Sequence, residues 1–74
     1  MPELIRISGN DMIQRLEKLG FLRIRHRGSH VILQKKTANG KIGCVVPLHK
    51  ELATGTIRDI LKQAHISVEE FTKI

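Results

Sequence analysis

The sequence has no tryptophan or tyrosine, only two phenylalanines and a single cysteine among its 74 residues. A core built without large aromatic rings has to be mainly aliphatic. Because one cysteine cannot form an internal disulfide, we expect the chain in a reducing compartment, the cytoplasm. No apolar run approaches the roughly 18 residues that a membrane-spanning helix needs, so the sequence predicts no membrane association.

Acidic residues are also few compared with basic ones. Seven Asp and Glu stand against thirteen Lys and Arg, which gives a formal net charge of +6 and a pI near 10.1. Such an excess favours a polyanionic partner, with nucleic acid as the first candidate. A basic surface that serves only solubility would give the same total charge.

Helical spacing of apolar residues occurs towards both ends of the chain. It predicts a first helix over about residues 9–19, ended by a glycine, and a second helix over about residues 56–65 with Thr56 as its cap. Ser67 and Glu70 have the spacing of a capping box, which predicts one further short turn of helix.

Between the two helices the apolar period changes to two, and two turn signals divide the segment into three strands. The Gly-Ser pair at 28–29 predicts a tight turn between a strand over residues 21–27 and a strand that begins at His30. The Asn-Gly pair at 39–40 predicts a second turn, followed by a strand that runs to about Pro47.

The predicted order is therefore α-β-β-β-α in a single domain over residues 1–74. This order predicts an α+β fold, in which a three-stranded antiparallel sheet carries both helices on one face. The chain is too short for a second core.

The two turns also predict the register, since directly opposed residues of an antiparallel pair point to the same face. We expect one face to be apolar and to pack on the helices, with His26 at its edge; it carries Leu22, Ile24, Val31, Leu33, Ile42, Cys44, Val46 and Leu48. We expect the other face to be basic and exposed; it carries Arg23, Arg25, Arg27, His30, Gln34, Lys36 and Val45. If pairing continues past Pro47, His49 lies opposite His30 on this basic face.

His30 is the main candidate for chemistry, because histidine titrates near neutral pH and this one shares the basic face with arginines. A cationic surface holds phosphates, stabilises the added charge of a phosphorane-like transition state and favours a neutral imidazole. RNA brings its own nucleophile, the 2′-hydroxyl, so one histidine could promote cleavage without a metal. A His30 that only binds phosphate fits the same pattern, and both alternatives stay open.

The other histidines and the cysteine fit several roles. His49 is either a paired acid across the strands or an exposed loop residue, His26 fits an edge position, and His65 fits the left-handed end of the second helix. A metal site would need His26 and Cys44 to converge with His30 and His49, but the predicted register places the two pairs on opposite faces. We therefore expect neither a metal nor a cofactor.

Short motifs in a fixed order span nearly the whole chain. They are Gly20-Phe21, Gly28-Ser29-His30, Pro47 with His49, Glu51-Leu52, Gly55-Thr56 and Ser67 to Phe71. With this series the sequence resembles the HicA toxin family. It departs from the family pattern at residues 37–39, where many members have His-Pro-Asp, and at His65, where a glycine is common. Both departures lie away from His30.

The resemblance implies a double-stranded-RNA-binding-domain-like fold and a toxin ribonuclease that cleaves mRNA independently of translation. It implies that His30 is the catalytic residue and that a HicB-type antitoxin neutralises the toxin, in a complex that can be of higher order. The residues expected to bind RNA around His30 are Arg23, Arg25, Arg27, Ser29, Lys36, His49 and Lys50.

The residues themselves leave two other functions open. A non-catalytic double-stranded RNA-binding module has the same order of elements, although such domains begin their last helix with a lysine cluster and this one opens Thr-Ile-Arg-Asp. A structural or regulatory partner protein is the second, because the apolar Ile32 and Val45 also lie on the basic face. The family resemblance favours the ribonuclease.

Overall fold

The computed structural model describes residues 6–73 of the chain. Its elements are α1 (Gly9–Lys18), β1 (Leu22–Arg27), β2 (His30–Thr37), β3 (Gly40–Pro47), α2 (Thr54–Ala64) and α3 (Val68–Thr72). The strands form one antiparallel sheet in the order β1-β2-β3. Because α1 and α2 share one core with the same side of this sheet, the predicted α+β, double-stranded-RNA-binding-domain-like fold is confirmed.

The core is mainly aliphatic, and it lies between the two long helices and the strands β2 and β3. The sheet contributes alternate residues of these two strands, Val31, Leu33, Cys44 and Val46. The helices contribute the apolar residues that recur at helical intervals, Met12, Ile13, Leu16, Ile57, Ile60, Leu61 and Ala64. The apolar face predicted for β2 and β3 is therefore confirmed.

Contrary to the prediction, strand β1 does not take part in this core, because its pairing with β2 contains a bulge. From Arg25 to Arg27 the predicted register is confirmed, but it shifts between Arg23 and Arg25, and Ile24 is left without a direct partner. One extra residue reverses the alternation of side chains along a strand. The predicted burial of Leu22 and Ile24 is wrong, since they are 69% and 51% exposed.

The turn between β2 and β3 also lies one position earlier than predicted. Thr37 pairs with Gly40, so the turn consists of Ala38 and Asn39. Both turn residues have negative φ while Gly40 has a φ of 141°, so the type I′ turn predicted at residues 39–40 is not formed.

The change of turn moves the β2–β3 register by two residues. Leu33 pairs with Cys44 and Val31 with Val46, each partner lying two residues before the one predicted. Because side chains alternate with a period of two, this shift changes every partner but leaves each side chain on its predicted face.

Helix α2 begins two residues earlier than predicted. Its N-cap is Ala53, which has no side chain able to accept a hydrogen bond, so the prediction of Thr56 as the cap is wrong. His65 ends the helix with a left-handed φ of 57°, and the capping box at residues 67–70 is present, both as predicted. No helix in the described part of the chain is long and apolar enough to cross a membrane.

Cys44 provides a test of the core. Burial raises the pKa of its thiol to about 11, because the low-dielectric surroundings disfavour the thiolate. The thiolate is the reactive form, so the folded protein should react with a thiol reagent at pH 8 at least tenfold more slowly than the protein in denaturant. Mass spectrometry of the alkylated product measures both rates, and equal rates would contradict the burial of Cys44.

The same burial predicts how stability depends on pH. The unfolded thiol ionises near pH 9 and the folded thiol only near pH 11. The contribution of the neutral thiol is therefore complete below pH 9 and decreases as the pH rises from about 9 to about 11. Urea denaturation of the wild type and of Cys44→Ala across this range isolates the contribution of the thiol.

Candidate active site

The face of the sheet that points away from α1 and α2 is the open face. It carries one residue in two from the paired strands, namely Leu22, Arg25, Arg27, His30, Ile32, Gln34, Lys36, Lys41, Gly43, Val45 and Pro47. His30 is the first residue of β2, and Arg27 lies directly opposite it across the β1–β2 turn. His30, Arg25 and Arg27 are all exposed, so an imidazole and two guanidinium groups share one solvent-facing surface.

A second cationic group occupies the other end of the open face. Lys36 pairs directly with Lys41, a residue absent from the sequence prediction although its spacing of four from Val45 already places it on the same face. Lys36 lies six residues along β2 from His30, or about 20 Å at roughly 3.3 Å per residue. The two ends of the open face are therefore far enough apart to contact different phosphates of one nucleic-acid strand.

Arg23 lies on the other side of the sheet, and its predicted place on the basic face is wrong. The bulge at Ile24 turns it towards α1, where its Nε lies 3.3 Å from Oε2 of Glu17. The pair is exposed to solvent and adds at most about 1 kcal/mol to stability. The acidic partner nevertheless offsets the charge of Arg23, so this arginine adds little to the positive potential around His30.

Backbone hydrogen bonds fasten the 28–29 turn to the loop that follows β3. Gly28 takes a φ of 55°, a conformation that a tight turn requires and that glycine adopts without strain. The amide of Leu48 donates to the carbonyl oxygen of Ser29 over 2.6 Å. The turn that precedes His30 is thus joined to residues 48–52, which we call the post-β3 loop.

The post-β3 loop carries His49 and Lys50, both exposed. Strand pairing ends where His30 lies opposite Pro47, so the prediction that His49 lies directly opposite His30 is wrong. His49 instead follows the residue that is bonded to Ser29, which keeps it beside the turn. The structure therefore brings Ser29, His49 and Lys50 to the same end of the sheet as His30.

Contacts with the amino-terminal segment hold the post-β3 loop from the other side. The amide of Gly9 donates to the carbonyl oxygen of His49 over 2.9 Å, and the amide of Leu52 donates to the carbonyl oxygen of Ile7 over 2.7 Å. Leu52 is fully buried, which anchors the carboxyl end of the loop in the core. The loop is thus fixed between the turn and the start of α1.

The remaining histidines and the cysteine lie away from His30. His26 is exposed on the face opposite His30, and its Nε2 lies 2.7 Å from the carbonyl oxygen of Gly28. Cys44 is buried in the core and His65 ends α2. Among residues 6–73, no group of three or more His, Cys, Asp or Glu side chains is arranged to hold a metal ion.

The fold and the open face define a small basic α+β protein of the double-stranded-RNA-binding-domain-like class. The family model described as HicA toxin of bacterial toxin–antitoxin matches residues 9–66, most of the chain, from α1 to the end of α2. The chain belongs to the HicA toxin family and is a toxin of a toxin–antitoxin system. No curated protein sequence matches it significantly. The resemblance noted in the sequence is confirmed by the family match.

Proposed function

We propose that this toxin is a cytoplasmic ribonuclease that cleaves mRNA, with His30 as its general acid or base. The observation that carries the proposal is the position of His30, exposed at the start of β2 on the same face as Arg25 and Arg27. Membership of the HicA toxin family supports a ribonuclease. The open face adds a side chain able to transfer a proton, next to cations able to hold a phosphate.

The reaction needs only groups that RNA and the open face contain. The 2′-hydroxyl of the substrate attacks the neighbouring phosphorus, and His30 either accepts the proton of that hydroxyl or donates a proton to the leaving 5′ oxygen. Arg25 and Arg27 stabilise the negative charge that grows on the phosphate oxygens in the transition state. In this mechanism no step depends on a metal ion or a cofactor.

Further residues on the open face and in the post-β3 loop bind the RNA strand. Ser29, His49 and Lys50 contact the strand close to His30, because the bond between Leu48 and Ser29 keeps the loop beside the turn. Lys36 contacts a phosphate at the far end of the face. A single strand suits this surface better than a duplex, since α2 lacks the lysine cluster with which duplex-binding domains straddle phosphates.

Replacement of His30 tests the catalytic assignment. His30→Ala should reduce the cleavage of single-stranded RNA in EDTA by about a hundredfold to ten-thousandfold, the usual contribution of a positioned acid or base. His26→Ala is the matched control, because His26 is also exposed but lies on the opposite face. Circular dichroism verifies that both variants fold. If His30→Ala cleaves as fast as the wild type, the assignment is wrong.

Two arginines of the same strand test which face binds RNA. Arg27→Ala should weaken binding and reduce the slope of log K against log salt by about 0.7, the value for one phosphate contact on a single strand. Arg23→Ala should leave both the affinity and the slope nearly unchanged, because Arg23 lies on the helix side beside Glu17. Fluorescence anisotropy at several salt concentrations measures both quantities. A larger loss for Arg23→Ala would contradict the proposed orientation.

We also propose that a HicB-type antitoxin inhibits the toxin by covering the open face, in a complex that can be of higher order. Val45, 39% exposed, and the half-buried Ile32 lie between the cations of this face, and a partner protein could bury them. Acidic groups on that partner would pair with Arg25 and Arg27. One surface would then serve both the substrate and the inhibitor, so binding of the antitoxin would exclude RNA.

Charge reversal tests this inhibitory contact. Arg27→Glu should weaken binding of the antitoxin at least tenfold, because a cation facing the partner becomes an anion. Arg58→Glu makes the same change of charge on the exposed surface of α2 and should leave the affinity within about twofold of the wild type. Surface plasmon resonance with the immobilised antitoxin measures both variants. Equal affinities for the two variants would show that the antitoxin binds elsewhere.

A further inference from the structure

We propose that Gly9, the first residue of α1, is a positioning residue for His30. The inference rests on the proposed ribonuclease activity. Gly9 is buried against the end of β3, and a Cβ atom added to it would lie 2.2 Å from the carbonyl oxygen of Pro47 and 3.0 Å from the Cα atom of Leu48. Backbone atoms cannot swing aside as a flexible side chain can. Any residue larger than glycine must therefore push the Pro47–Leu48 backbone away from α1.

The backbone that would be displaced is in direct contact with His30 and with the turn before it. Pro47 is the residue that lies directly opposite His30 in the β2–β3 pair. Leu48 donates its amide to the carbonyl oxygen of Ser29, the residue that precedes His30. A movement of Pro47 and Leu48 is thus transmitted to His30 from both sides, along the strand pair and through the turn.

A backbone hydrogen bond also joins Gly9 to the post-β3 loop. The amide of Gly9 donates to the carbonyl oxygen of His49, while Ser8 caps the helix by accepting the amide of Asp11 over 3.0 Å. The Ser8 cap is a local bond within the first turn of α1, whereas the end of β3 is fitted against Gly9 itself. Only glycine at position 9 permits Pro47 to come this close to the helix.

A small displacement is sufficient to slow the reaction. Moving a catalytic group by about 1 Å can cost about a hundredfold in rate. Two of the residues proposed to hold RNA phosphates, Arg25 and Lys36, lie on β1 and at the far end of β2, away from Pro47. His49 and Lys50 follow the displaced backbone, so part of the RNA contact moves with it. Replacement of Gly9 should therefore lower kcat by a larger factor than it raises KM.

The experiment compares Gly9→Ala with two controls. Gly55→Ala makes the same substitution in the first turn of α2, where an added Cβ meets nothing within 4 Å. Ser8→Ala removes the cap of α1 and destabilises the same helix end without placing a side chain against Pro47. Steady-state cleavage of a fluorogenic RNA oligonucleotide, at a temperature where circular dichroism reports fully folded protein, gives kcat and KM for each variant.

We expect kcat of Gly9→Ala to fall tenfold to a hundredfold with a smaller factor of change in KM, and both controls to keep the wild-type kcat. An unchanged kcat in Gly9→Ala, or an equal loss in Ser8→Ala, would overturn the proposal. If Gly9→Ala does not fold, Pro47→Gly keeps the contacting carbonyl but frees the φ of the strand end that is fitted against Gly9, and a wild-type kcat in that variant would overturn the proposal too. Retained cleavage by His30→Ala would instead contradict the proposed function itself.

Discussion

The candidate site depends on the attachment of the end of β3 to two other parts of the chain. Residues 47–49 are bonded through their backbone to the turn before His30 on one side and to Gly9 on the other. The chain has no disulfide and few aromatic rings with which to rigidify a site. Backbone hydrogen bonds and one close helix–strand contact perform that task instead, and they bring together segments that are distant in sequence.

Local patterns in the sequence were sufficient to predict the elements that form the core. The apolar alternation of β2 and β3, the glycine turn at residues 28–29 and the capping box at residues 67–70 each depend on neighbouring residues only, and all three are confirmed. His30 and Arg27 could be placed opposite each other because a two-residue turn leaves no freedom in the pairs next to it. The central pair of the candidate site was therefore predictable.

The features that could not be predicted depend on tertiary packing. Nothing in the alternating Leu-Arg-Ile-Arg pattern shows that Ile24 forms a bulge, yet that single extra residue turns Arg23 to the helix side and exposes Leu22. The Asn-Gly pair at 39–40 favours one turn in isolation, but the strand pairing selects another. The constraint on Gly9 was invisible for the same reason, since its neighbour Pro47 lies far along the chain.

The most direct test of the central claim is growth after induction of the toxin in a bacterial host without antitoxin, with cellular mRNA followed on the same samples. We expect growth arrest and loss of full-length mRNA with the wild type, and normal growth with intact mRNA for His30→Ala at equal protein level. Growth arrest and mRNA loss by His30→Ala to the same extent as the wild type would contradict the catalytic role of His30.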